Sequence, residues 1–182
     1  MALGYVRPAR ESDAPQIASI QLSTWRTAYA KFIPAEVLDN LDHEWFTQQW
    51  REACTNPPST EQQVFVAIEQ DETDKDRLET VGFAAVGPDT EEETGNGLVT
   101  ELLVEPRFGR RGHGSRLLSA AVAHWRAHGI LLARAWAFAR DNASLNFYRA
   151  AGWETDGASR TLEMEATMVP QLRLHADLTE DD

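Results

Sequence analysis

The chain predicts a mixed α/β (α+β) fold, a mostly antiparallel sheet of about six to seven strands flanked by about four helices. Three observations lead there. Strand-like and helix-like periodicities follow one another in the order β-α-α-β-β-β-α-β-α-β-β. Short polar turns join the middle strands, as in hairpins. One strand passes through a glycine turn directly into a helix, between residues 98 and 129. The 182 residues, 42% of them apolar, suit one domain over residues 1–182 with a sizeable core.

Residues 5–9 form a short first strand ended by Pro8. Ser12 is the expected N-cap of a helix running to about residue 30, with Asp13 in its first turn and Ile17, Ile20, Trp25, Ala28 and Tyr29 along it. Pro34 can open the next helix without losing a hydrogen bond, and Val37, Leu38 and Leu41 give its inner face. Asp42 caps a further turn carrying Trp45, Phe46 and Trp50. Residues 56–60, NPPST, are a loop. Strands at 63–69 and 81–86 form a hairpin around a charged turn, 70–77. An acidic, glycine-ended stretch, 88–96, reads as a mobile loop whose carboxylates at 89–93 are solvated.

The apolar run LVTELLV, 98–104, is the next strand, and Pro106 stops its ladder. The helix then starts near Ser115. It buries Leu117, Leu118, Ala121, Val122 and Trp125, and Gly129 closes it. Residues 130–138 are nearly all apolar, as a central strand requires. Asp141 and Asn142 cap a short helix with Leu145, Phe147 and Tyr148, closed by Gly152. Residues 160–165 alternate as a strand, Met168, Val169 and Pro170 turn, and Leu172 and Leu174 lie on the last strand. The acidic tail from about residue 176 is expected to fray.

Composition narrows the function. A net charge of −12 argues against a nucleic-acid partner. No apolar run approaches the roughly 20 residues that span a bilayer, and the N-terminus lacks an apolar signal core. Cys54 is the only cysteine, so no disulfide or cysteine–metal framework exists. A cytoplasmic location and no membrane partner are expected. His124 and His128 have zinc-like spacing, but no H-E-x-x-H and no third ligand accompany them, so no metal is expected.

The strand, the turn R-R-G-H-G and the helix start make an anion site. The first amides of a helix lack intrahelical partners, and the dipole adds positive charge there. Gly112 and Gly114 admit a phosphate close to the backbone, and Arg110 and Arg111 add charge. The third glycine of a dinucleotide fingerprint would fall on Leu117, and no Lys follows as in a nucleotide P-loop. A tight connection without a ligand is the alternative.

The run VEPRFGRRGHGSRLL resembles motif A of the GNAT superfamily of acetyl-CoA-dependent N-acetyltransferases, V-x-P-x-x-R/Q-x-x-G-x-G/A-x-x-L. Val104, Pro106, Gly112, Gly114 and Leu117 match. The Arg/Gln position falls on Gly109, with Arg110 one residue late. The run DNASLNFYRAAGW resembles the family segment N-x-x-A/S-x-x-F-Y-x-x-x-G-F/W. Ser144, Phe147, Tyr148, Gly152 and Trp153 match, and the Asn position falls on Asp141, with Asn142 one residue late. STWRTAYAKFIP, 23–34, is similar to a W-R-x-x-Y segment of many family members.

The resemblance implies the GNAT acyl-CoA N-acyltransferase fold and acetyl transfer from acetyl-CoA to an amine by direct attack in a ternary complex. It implies that the strand 98–104 splays from its parallel neighbour. The amides of Leu102, Leu103 and Val104 would then serve the pantetheine arm and the acetyl oxygen. Gly109, Arg110, Arg111, Gly112, His113, Gly114 and Ser115 would hold the diphosphate, with Asn142 completing the cofactor site. The side chain of His113 is expected to face solvent. Tyr148 would protonate the departing thiolate, a phenol of pKa about 10 being protonated at neutral pH; packing beside Phe147 is the alternative. Glu101 would be the base or steer a cation, or simply face solvent. Trp25 and Tyr29, one helical turn apart, border the acceptor site or pack the core. The acceptor is a small-molecule, peptide or protein amine, and a homodimer is compatible. A non-catalytic acyl-CoA binder on the same fold is the competing reading.

Overall fold

The computed structural model describes residues 3–71, 73–74, 76–91 and 95–179. Their order is β1 (Gly4–Pro8), α1 (Ala14–Thr27), α2 (Ala35–Asp39), α3 (His43–Thr55), β2 (Gln63–Gln70), β3 (Leu78–Pro88), β4 (Gly97–Val104), α4 (His113–Ala127), β5 (Leu132–Phe138), α5 (Asn142–Ala150), β6 (Glu154–Met164) and β7 (Thr167–Asp177). Among the described residues these strands form one seven-stranded sheet of order β1-β2-β3-β4-β5-β7-β6. Neighbours are antiparallel except β4 and β5, which run parallel because α4 carries the chain across between them.

Each sheet face has its own core. Leu117, Ala121 and Trp125 of α4 and Leu145 of α5 pack on one face, against Val81, Ala84, Ala133 and Ala135. Ile17 and Ile20 of α1 cover the other, against Val66, Phe83 and Leu103. Alternation along the strands assigns Val66 and Ala67 to opposite sides, so β2 is buried on both.

The feature that shapes the site is a break in pairing. β4 and β5 share only Gly97–Ala133, Leu98–Arg134 and Val99–Ala135. Beyond Val99 the two strands pair no further, while β4 stays on β3 through Val104. The register with β3 jumps from Ala85–Glu101 to Val86–Val99, leaving Thr100 as a bulge. Its hydroxyl donates to the Ala85 carbonyl at 2.9 Å. A bulge bends its strand, and this one sits where the parallel ladder stops.

Several expectations are corrected. Asp13, not Ser12, organises the start of α1. Its carboxylate accepts from the Arg10 amide at 2.7 Å and from Arg7 at 2.7 Å. The helix ends at Thr27, and residues 28–33 continue as turns hung on the Tyr29 carbonyl. Met168, Val169 and Pro170 lie within β7; the turn before it falls at Glu165, whose φ is 51°. The tail does not fray at 176: β7 runs to Asp177, and Leu178 is buried with α4. Asp89 is no solvated carboxylate, being buried and paired with Arg134 at 3.0 Å. Residues 92–94 of the acidic loop, 72 and 75 of the charged turn and 180–182 of the tail lie outside the described residues. The expected cap at Asp42 is present, accepting from the amides of Glu44 and Trp45.

Candidate active site

Two cavities meet at the gap between β4 and β5. The first, about 410 Å³, lies over the end of β4 and the start of α4. Gly112 takes φ +81°, a left-handed conformation that a side chain would strain, and turns the chain into α4. The first intrahelical bond there is Arg116 N–H to the Gly112 carbonyl. No side chain caps α4, so the amides of His113, Gly114 and Ser115 remain available to an anion. Gly109, Arg110, Gly114 and Ser115 line this cavity, as do Leu102, Leu103 and Val104. Arg110 holds φ 61°, unusual for a residue with a side chain. Thr24 of α1 lies in the same wall, its buried hydroxyl without a partner among the described residues.

Three expected ligand residues are placed differently. Arg111 turns back to Glu69 on β2 at 2.6 Å and lines neither cavity. His113 does not face solvent. It is buried at 2% exposure, with Nε2 2.6 Å from Glu69. Glu69 is itself buried, and the two basic groups hold the turn to β2. Asn142 is exposed and lines neither cavity; its neighbours Asp141, Ala143 and Ser144 do line the first.

The second cavity, about 270 Å³, opens between the separated strands. Trp25, Tyr29, Glu101 and Tyr148 all line it. The Glu101 carboxylate accepts from Gln21 Nε2 at 2.7 Å and from Trp25 Nε1 at 2.8 Å. Trp50 Nε1 donates to Gln21 Oε1 at 2.7 Å, which fixes the amide so that its NH₂ faces Glu101. Burial pushes Glu101 up to about 7, and the two hydrogen bonds oppose that rise without cancelling it. Trp25 is therefore more than an aromatic wall: its N–H holds the carboxylate.

Tyr148 is buried at 6% exposure, between Phe147 and Trp153. Burial raises its phenol well above the ordinary value, with Tyr29 nearby adding to the effect. Tyr29 is itself pushed up to about 12, by burial first and then by the Asp141 carboxylate. Asp141 caps α5 through the Ser144 amide at 3.2 Å and stands in the walls of both cavities. From the sequence alone neither Gln21 nor Thr24 is expected at the site, and Trp50 is expected only as an apolar residue of the turn after Asp42. Gln21 does carry a signal, a polar residue one turn before Trp25 on a face otherwise given to Ile17 and Ile20.

The model of the acetyltransferase (GNAT) domain family matches residues 60–155. The uncharacterized N-acetyltransferase YuaI of Bacillus subtilis is 32% identical over 147 residues, 80% of this chain and 77% of that protein. The chain belongs to the GNAT acetyltransferase family. It is an acyltransferase. Solved structures agree on the fold. YncA of Salmonella typhimurium, with its cofactor acetyl-CoA, has a TM-score of 0.71 at 17% identity, covering 98% of this chain and 95% of that one. PaiA N-acetyltransferase of Thermoplasma acidophilum, in complex with coenzyme A, has a TM-score of 0.73 at 14% identity, covering 96% and 99%. Among the described residues no helix is long and apolar enough to cross a membrane.

Proposed function

We propose that this GNAT acetyltransferase, acting as one domain over residues 1–182, moves the acetyl group of acetyl-CoA to a primary amine in a ternary complex. The observation that carries the reading is the loss of β4–β5 pairing after Val99, which opens a cavity on each side of residues 101–104. The first cavity suits the donor. It combines uncapped helix amides, a glycine turn, Arg110 and an unpartnered Thr24 hydroxyl. YncA and PaiA, holding acetyl-CoA and coenzyme A on the same fold, support that assignment.

Acetyl-CoA supplies an activated acyl carbon: a C–N bond to the amine forms, the C–S bond breaks and the thiolate leaves. Strand amides alternate in direction. Glu105 donates to Val81 of β3 and Leu103 pairs with Phe83. The amides of Leu102 and Val104 therefore point to the opened edge, where fixed donors can face a carbonyl oxygen gaining charge. Glu101 takes the amine proton onto its carboxylate. At about 7 it is a far better match to that task than an ordinary carboxylate near 4.3. Tyr148 gives its phenolic proton to the sulfur. Its raised pKa keeps it protonated throughout the neutral range. Solvent then removes the proton from Glu101 and restores that of Tyr148, so charge and protons balance.

The test is thiol release from acetyl-CoA across a panel of amines, with the N-acetyl product measured by mass spectrometry. Amine-dependent thiol release with matching product is expected. Acetyl-CoA binding with no transfer to any amine, or transfer only to water, would overturn the reading.

A further inference from the structure

The second cavity also specifies its occupant, and this step rests on the acetyl-transfer reading above. Its walls are mostly apolar, with Trp25, Val37, Trp136, Phe138 and Leu162 among them, and Thr100, Ser144 and Gln171 are neutral polar groups in the same lining. Its charged lining groups among the described residues are Glu101 and Asp141, with no Lys, Arg or His. Arg160 contacts two lining residues from outside the cavity. It lies 4.2 Å over the Trp136 ring, donates to Gln171 at 2.7 Å and pairs with Glu91. Arg173, also over Trp136, is paired with Asp156 at 2.7 Å. These cations have partners and do not line the cavity.

The two ends of an acceptor would therefore meet unlike surroundings. An amine directed at Glu101 meets a carboxylate already oriented by Gln21 and Trp25. A carboxylate on the same molecule would enter beside two acidic groups with no cation to receive it. An unpaired buried charge is strongly disfavoured. In size, about 270 Å³ exceeds the roughly 150 Å³ that encloses benzene, leaving room for a ring and a short chain.

We propose that the acceptor is a primary amine on an apolar, ring-sized body without an α-carboxylate, an arylalkylamine rather than an amino acid. The ring lies among Trp25, Trp136 and Phe138, and the nitrogen points to Glu101. The reaction is the balanced transfer already given, with the amine proton passing to Glu101.

The experiment compares phenethylamine, phenylalaninamide, phenylalanine and 1,4-diaminobutane with the wild-type chain. Two readouts are used: kcat/KM by thiol release, and binding by quenching of tryptophan fluorescence, since Trp25 and Trp136 line the cavity. Phenethylamine and phenylalaninamide should be accepted within about tenfold of each other. Phenylalanine should fall at least about 100-fold below both, because its carboxylate is desolvated unpaired. Phenylalanine within about threefold of phenethylamine, or a preference for the diamine, overturns the proposal while leaving acetyl transfer intact. If phenethylamine quenches and phenylalanine does not, yet neither is acetylated, the cavity assignment stands and the transfer reading fails. If neither quenches nor reacts while another class of amine is acetylated, the proposal is wrong.

Discussion

Trp25→Phe tests whether Glu101 is a tuned base. The change removes one N–H, which donates to Glu101 at 2.8 Å, and keeps an aromatic ring against Phe46, whose centroid is 5.8 Å away. Burial raises Glu101 to about 7, and the Trp25 hydrogen bond acts downward. A hydrogen bond to a charged group contributes about 1.5–3 kcal/mol. At about 1.4 kcal/mol per pH unit, its loss should raise the Glu101 pKa by about one to two units. A base works deprotonated, so the acidic limb of kcat/KM should move to higher pH by that amount. The position of the limb is the readout, because Trp25 also lines the acceptor cavity and its change can alter the plateau height. Substrate ammonium titrates identically with both enzymes, so the difference between the profiles belongs to the protein. Glu101→Gln should abolish that part of the limb. An unshifted profile in a folded Trp25→Phe enzyme, or an unchanged limb in Glu101→Gln, would refute the reasoning.

Other outcomes follow from the same geometry. Tyr148→Phe keeps the ring between Phe147 and Trp153 and should lower kcat by about 10²- to 10⁴-fold with acetyl-CoA affinity nearly unchanged; activity within about threefold of wild type would assign Tyr148 to packing. Arg110→Gly relieves a φ of 61° while deleting the guanidinium, so calorimetry should show weaker CoA binding, a gap that narrows with salt, without loss of thermal stability. Arg111→Ala should show the reverse, because Arg111 is held by buried Glu69: CoA affinity nearly kept and Tm lowered. Gly97→Ala would bring a Cβ to 2.5 Å from the Trp125 indole nitrogen; overpacking of about 1–3 kcal/mol should lower Tm by several degrees.

The elements that were legible share a local cause. The α4 turn was readable because Pro106, Gly112, Gly114 and the apolar face Leu117–Ala121–Trp125 each report on their own neighbourhood. Asp42 and Asp141 were readable as caps for the same reason. The divergence of β4 from β5 came only from the family resemblance, because pairing is a property of two strands distant in sequence. Arg111 and His113 were misplaced for a similar reason. Their partner, Glu69, lies more than 40 residues away on β2, and nothing in R-R-G-H-G reveals it. The acidic tail reads as frayed, yet Leu178 lies in the core, where one buried side chain outweighs an acidic surrounding. For Glu101, residue type gave a candidate base, but its role depended on Gln21, Trp25 and Trp50 converging from α1 and α3.

Hydrogen exchange of the wild-type chain, with and without saturating acetyl-CoA, tests most directly whether the opened β4 edge is the donor site. The amides of Leu102 and Val104, which alternate away from β3, have no β5 partner, and those of His113, Gly114 and Ser115 precede the first helical bond of α4. Acetyl-CoA should slow exchange in peptides covering 101–104 and 112–116, with phenethylamine adding protection around Trp25 and Trp136. Protection confined to other segments, with 101–104 and 112–116 exchanging as in the free protein, would contradict the account.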